Sequence, residues 1–83
     1  MIKAYILVET EGRDPNLVAS DMTSIEDVEN VLVVNGDYDL MVLVNAEDVI
    51  DLRENTLNKL SNVHGVIRTS SLIISDTRNF ERI

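Results

Sequence analysis

The sequence predicts a single α+β domain whose strands and helices follow the order β-α-β-β-α-β. Short runs rich in β-branched residues alternate with two stretches in which apolar residues recur every three or four positions. An Asn-Gly pair between the second and third apolar runs favours a hairpin there. A length of 83 residues suits one small domain, which we place at residues 1–83.

The first strand and the first helix are predicted in the opening quarter of the chain. Residues 2–9, "IKAYILVE", are apolar at nearly every position, which is typical of a strand covered on both faces. Asp14 and Pro15 then indicate a helix start, because Asp caps backbone NH groups and Pro at the first helical position loses no hydrogen bond. The helix is predicted to end near residue 24. Its apolar side comprises Val18, Met22 and Ile25.

A hairpin is predicted next. The second strand is expected from Val28 to Val34 and the third over residues 38–45, joined by a tight turn at Asn35 and Gly36. Such turns need positive φ angles, which these two residue types tolerate.

The second helix and the fourth strand complete the order. The helix is predicted within "NAEDVIDLRENTLNKLSNV", with Asn45 or Asp48 as its cap. After Gly65, "VIRTSSLIIS" predicts the last strand. The helix face toward the core is expected to comprise Val49, Leu52, Thr56 and Leu60.

This order predicts a ferredoxin-like sandwich, with strands one and three central in an antiparallel sheet and both helices on one face. The other face then has no helix to cover Tyr5 and Leu7. Burying several hundred Å² there would contribute on the order of 10 kcal/mol before association costs. We therefore expect a homodimer that packs sheet on sheet.

Composition and charge limit the partners and the location. Fifteen acidic and seven scattered basic residues give a net charge of -8, which disfavours direct binding to nucleic acid or an anionic membrane. The sequence contains no cysteine and shows neither a signal peptide nor a membrane span. We expect a cytoplasmic protein that gains stability by self-association.

In this topology the hairpin lies at the sheet end where the first strand finishes and the fourth begins. Gly36, Asp37 and Asp39 are therefore expected near the first-strand end and the Val63 to Gly65 segment. Two motifs at this end resemble a known family. "VNGDYDLMVLV" is similar to the Gly-x-Tyr-Asp turn, and "LSNVHGVIRTSSLIIS" to the closing strand, of the C-terminal effector module of Lrp/AsnC regulators, also called the RAM domain.

The resemblance covers essentially the whole chain and implies a function. Family members usually carry an N-terminal helix-turn-helix domain, whereas Met1 directly precedes the first strand here, so we expect a stand-alone form. The resemblance implies dimers that assemble into rings and bind a small effector, usually an amino acid, between dimers. Full-length Lrp/AsnC regulators are a further candidate partner.

The resemblance further implies a set of ligand-binding residues. Gly36 and Asp37 would shape the mouth of the site, and Asp39 would pair with the ammonium group of the effector. Thr69 and Ser71 would offer hydroxyl groups from the closing strand. Tyr38 is a further candidate, which could equally pack over the sheet edge. Each residue also has a purely structural interpretation, since Asp39 could cap backbone NH groups locally and small hydroxyl residues are ordinary in strands.

Catalysis has little support in the sequence. No nucleophile set, phosphate loop or metal-ligand cluster can be assembled, so we expect no catalytic residue, no metal and no cofactor. One alternative is a small cofactor-free dimeric enzyme with His64 as base. Another is an assembly module that joins full-length regulators without a ligand, with the apolar tail residues Phe80 and Ile83 docked on a neighbour.

Overall fold

The structure is a computed structural model that describes residues 1–75. The element order is the predicted one, and the second helical segment combines two α-helical parts with a π-helical turn between them. Phe80 and Ile83, expected to dock on a neighbour, lie outside the described residues. The elements are β1 (Ile2–Thr10), α1 (Pro15–Met22), β2 (Val28–Val33), β3 (Leu40–Ala46), α2 (Val49–Asp51), π1 (Leu52–Thr56), α3 (Leu57–Ser61) and β4 (Val66–Ile73).

The four strands form one antiparallel sheet in the order β2-β3-β1-β4, which confirms the predicted ferredoxin-like arrangement with β1 and β3 at its centre. Ile6 pairs with Val42 on one side of β1 and with Ser71 on the other. Two β-bulges interrupt the edges, one that leaves Ile67 of β4 unpaired and one at Glu29 of β2. Both edge strands are therefore locally bent, whereas the central pair is regular.

One face of the sheet packs against the helices and forms the core. Alternate residues of β1 and β3 are buried there and meet two residues of α1 and two of the second helical segment. Thr56 is the one buried polar residue in the described part of the chain, and its hydroxyl donates to Asp27 Oδ2 at 2.8 Å. The buried apolar residues are Ala4, Ile6, Val8, Val18, Met22, Leu40, Val42, Val44, Ala46, Leu52 and Leu60.

The opposite face, here called the open face, carries a continuous set of half-buried and exposed apolar side chains. The strand register places Tyr5 beside Leu43 and Leu72, and Leu7 beside Met41. No helix of the described chain covers these residues, as expected from a topology that places both helices on the other face. The open face comprises Tyr5, Leu7, Leu32, Met41, Leu43 and Leu72.

The helix starts follow their predicted caps. Asp14 Oδ1 accepts from the Asn16 amide at 2.9 Å, with Pro15 as the first helical residue. Asp48, and not Asn45, caps the second segment, because Asn45 still belongs to β3 while Asp48 Oδ1 accepts from the Asp51 amide at 2.8 Å.

One helix boundary and one position on a helix face differ from the prediction. The first helix ends at Met22 because the Thr23 and Ser24 hydroxyls donate to carbonyls three residues back, which competes with helix continuation. Val49 was expected on the core face but is 41% exposed. The π-turn takes more residues per turn than an α-turn, so the buried stripe keeps a spacing of four from Leu52 and leaves Val49 outside it.

Candidate functional site

The loop between β2 and β3 is anchored at both ends. The Val34 amide donates to the Asp39 carbonyl at 2.9 Å, and the Asp39 amide donates to the Val8 carbonyl of β1 at 2.8 Å. The predicted two-residue turn at Asn35 and Gly36 is wrong, because in residues 1–75 only glycines have positive φ and Gly36 alone adopts it in this loop, at φ +156°. The reversal is instead a wider loop over residues 34–39, which we call the hairpin loop.

Asp39 fastens the hairpin loop to the end of β1. Its Oδ2 accepts from the Thr10 amide at 2.7 Å and from the Thr10 hydroxyl at 3.1 Å. Both donors are neutral and partly buried. The carboxylate therefore takes the place of water as the hydrogen-bond acceptor for the backbone amide and the hydroxyl group at the end of β1. Asp39 therefore caps a backbone NH group, as the structural interpretation expected, but that of a residue distant in sequence and not a local one. This contact engages one of the two carboxylate oxygens.

Tyr38 lies beneath an arginine on the open side of the same end. The Arg68 guanidinium carbon is 5.3 Å from the centre of the Tyr38 ring, and Arg68 also pairs with Glu9 at 2.9 Å. The three side chains connect the hairpin loop, β4 and β1. Tyr38 thus packs across the sheet edge, as the structural interpretation predicted.

The remaining groups at this end tie the β1 end to the start of β4. The Glu11 amide donates to the Gly65 carbonyl at 2.9 Å, and Arg13 donates to the His64 carbonyl at 2.9 Å. Arg13 also pairs with Asp21 at 2.7 Å. The structure therefore brings the hairpin loop, the β1 end and the His64 to Gly65 segment to one end of the sheet, as the topology predicted.

Thr69 and Ser71 lie on the far side of β1 from the hairpin loop. Thr69 pairs with Val8 and Ser71 with Ile6, whereas the hairpin loop contacts β1 from the β3 side. Strand spacing of about 4.8 Å puts β4 roughly 10 Å from β3 across β1. Within one chain, the two predicted halves of the site are therefore separated, while Gly36, Asp37, Tyr38 and Asp39 stay together.

Thr10 and Arg68 are two residues at this end that the sequence did not single out. Thr10 is the last residue of β1, and the sequence does not indicate which residue its hydroxyl group would contact. Arg68 could have been noticed as the one basic residue in the fourth strand. Its pairing with Glu9 depends on the register between β1 and β4, which the bulge at Ile67 shifts by one residue.

A polar cleft of about 380 Å³ lies at the end of the sheet opposite the hairpin loop. The Asp51 carboxylate there accepts from the Asn55 side chain and the Glu47 amide, and these bonds hold the pKa of Asp51 below its ordinary value of 3.8. The cleft is lined by Met1, Glu26, Asp27, Asn45, Ala46, Glu47 and Asp51.

Two observations on residues 1–75 concern the alternatives of metal binding and of catalysis by His64. This part of the chain has no group of three or more side chains that could hold a metal ion. His64 is exposed, and its imidazole makes no hydrogen bond to any other described residue.

Neither the first helix nor the segmented second one, within residues 1–75, has the length and apolar character needed to span a membrane.

The fold and the family match together define a regulatory ligand-binding domain. The model of the Lrp/AsnC ligand binding domain matches residues 3–82, and the chain belongs to this family. The HTH-type transcriptional regulator LysM of Saccharolobus solfataricus is 29% identical over 77 residues, which are 92% of this chain and 54% of that regulator. The chain thus spans about half the length of the curated regulator.

Solved structures agree with this assignment. TTHA0845 from Thermus thermophilus is 29% identical with a TM-score of 0.80, and the match covers 99% of this chain and all of that one. The feast or famine regulatory protein from M. tuberculosis, complexed with L-methionine, is 25% identical with a TM-score of 0.83, and the match covers 100% of this chain and 56% of that one. The family of ligand-binding domains from transcription regulators, predicted from the two motifs, is confirmed.

Proposed function

We propose that this chain binds a small amino-acid effector and self-associates, as a module that acts with Lrp/AsnC transcription regulators. The observation that carries the proposal is the match of residues 3–82 to the ligand binding domain. The M. tuberculosis relative complexed with L-methionine supports an amino acid as the ligand class. An enzymatic role lacks such support, since the family is one of regulatory domains.

The apolar open face supports the proposed self-association. Leu32 is 44% and Leu72 55% exposed in the single chain, and the central open-face residues between them are half-buried. A second copy of the same sheet would cover this patch with matching apolar side chains. We propose dimers formed in this way, which then assemble further into rings.

The effector would bind between dimers, where the hairpin loop of one chain meets the β4 edge of another. Gly36 would present backbone NH groups to the effector carboxylate, and the second carboxylate oxygen of Asp39 would accept from its ammonium. Thr69 and Ser71 would supply hydroxyl groups from the neighbouring chain. This arrangement supplies both halves of the predicted site, which one chain holds on opposite sides of β1.

We further propose that the module acts in the cytoplasm without touching DNA itself. The net charge of -8 opposes direct contact with nucleic acid. Full-length regulators of this family are the partners that we propose for it.

Light scattering with calorimetry tests the proposal. We expect the purified chain to be at least a dimer at micromolar concentration, and its mass to change on addition of an amino-acid pool. Single amino acids are then titrated by calorimetry. Leu43→Asp should yield monomers by placing a charge in the open face, while Ile50→Asp, at a site 66% exposed on the helical side, should leave the mass unchanged.

The outcomes separate the candidates. A ligand-dependent mass supports an effector site between dimers. A constant dimer that gives no heat with any amino acid at millimolar concentration contradicts effector binding and favours the ligand-free assembly module. A monomer at micromolar concentration contradicts the open-face dimer.

A further inference from the structure

The hairpin-loop end of the sheet carries more negative than positive side chains. Four carboxylates lie on the hairpin loop and the adjacent end of β1. The arginines of the described chain at this end already have partners. The four carboxylates are Glu9, Glu11, Asp37 and Asp39.

Both arginines are engaged by specific contacts. Arg68 is held by Glu9 at 2.9 Å and by the Tyr38 ring at 5.3 Å. Arg13 is held by Asp21 at 2.7 Å and by the His64 carbonyl. A ligand carboxylate would have to break one of these contacts to pair with an arginine. An acidic ligand side chain therefore finds no unpaired arginine at this end among residues 1–75.

The two aspartates of the hairpin loop have different surroundings. Asp39 is occupied by Thr10, through two hydrogen bonds to one oxygen. Asp37 is exposed, and it takes part in none of the ion pairs or side-chain hydrogen bonds among the described residues. Asp39 thus fixes the shape of the loop, while the Asp37 carboxylate is available to a ligand.

We infer that the Asp37 carboxylate interacts with the charge of the effector side chain. The site then binds basic amino acids more tightly than neutral ones, and neutral ones more tightly than acidic ones. The inference rests on the proposed function, because it concerns the selectivity of that same site. An exposed carboxylate acts on a bound charge through solvent, so each step should be modest, about tenfold at most at low salt. Salt at about 1 M should remove most of it, since the screening length falls to about 3 Å.

Isosteric ligand pairs isolate the charge effect. Arginine and citrulline have nearly the same shape and differ in side-chain charge, as do glutamate and glutamine. Calorimetry with the full chain at low salt should give a dissociation constant about three- to fivefold lower for arginine than for citrulline. Glutamate should bind more weakly than glutamine by a similar factor.

Two charge-neutralising variants test whether Asp37 is the residue that causes the charge selectivity. Asp37→Asn should bring the arginine to citrulline ratio to about twofold or less. Glu26→Gln removes the same charge in the cleft at the opposite end of the sheet and should leave the ratio unchanged. Circular dichroism of both variants should match that of the parent chain, because neither side chain makes a hydrogen bond to a described residue.

The results distinguish this inference from the proposed function on which it rests. If neutral amino acids bind but arginine gains nothing over citrulline, the charge selectivity is overturned and the effector function stands. An equal loss of the ratio in Asp37→Asn and Glu26→Gln overturns the role of Asp37, since net charge would then be the cause. If no amino acid binds at all, the proposed function and the selectivity both fail.

Discussion

Replacing Asp39 by Ala should destabilise the fold, whereas replacing Asp37 by Ala should not. Asp39 Oδ2 accepts two hydrogen bonds from Thr10, at 2.7 Å and 3.1 Å. A hydrogen bond to a charged group is worth about 1.5–3 kcal/mol. Because the site is only partly buried, water can replace part of this, and we expect a total loss of about 2–3 kcal/mol. Asp37 makes no such contact among residues 1–75, so its loss should cost less than about 0.5 kcal/mol.

This loss is large for so small a domain. At about 0.05–0.15 kcal/mol per residue, the whole chain is stable by roughly 4–12 kcal/mol. The expected Tm decrease for Asp39→Ala is roughly 10–20 °C. Thermal and urea unfolding by circular dichroism would measure it, with all variants at one protein concentration because self-association makes the midpoint depend on concentration.

A double-mutant cycle with Thr10 tests the cause. Thr10→Val removes the hydroxyl contact alone, so it should cost less in the Asp39→Ala background than in the parent chain, by about 0.5–1 kcal/mol. Equal Tm values for Asp37→Ala and Asp39→Ala, or additive effects in the cycle, would refute the assignment of Asp39 as the anchor of the hairpin loop.

Further predictions concern the core, the glycines and pH. Gly65→Ala should cost about 2–3 kcal/mol in urea unfolding, because a Cβ there would lie 2.9 Å from Arg13 Cβ at φ +100°, while Gly12→Ala at φ +74° meets no atom within 4 Å and should cost less. Leu60→Ala, at a fully buried site, should cost about 2–5 kcal/mol in the same assay. The pKa of Asp51 is lowered on folding, so this carboxylate stabilises the fold above its unfolded pKa and the effect is lost as pH falls through the folded pKa. Asp51→Asn should therefore be less stable than the parent chain near about pH 7 and equally stable near about pH 2 in urea unfolding.

The element order followed from the sequence because its signals are local. The Asp14 and Pro15 pair defines a helix start through contacts within three residues, and the structure begins α1 there. The buried apolar side of the first strand reflects its central position, since β1 has a strand on each edge and the helices on one face.

The details that the sequence did not predict depend on contacts between distant residues. Asn35 and Gly36 favour a tight turn by themselves, but the loop is wider because Asp39 is held by Thr10 and Val8 of another strand. The π-turn likewise has no signal in residues 52–56 and accompanies the burial of Thr56 against Asp27. In both places tertiary hydrogen bonds outweigh the local preference.

The separation of the two predicted site halves has a consequence for the unit that binds an effector. The hairpin loop and Thr69 contact β1 from opposite sides, roughly 10 Å apart by strand spacing. The ammonium and carboxylate groups of an amino acid are attached to one carbon atom, so an effector held by both groups at the hairpin loop cannot bring them to Thr69 and Ser71 of the same chain. Effector affinity should therefore depend on assembly. A monomeric Leu43→Asp variant with native circular dichroism should lose most of its affinity, and one that binds as tightly as the parent chain would place the whole site within one protomer.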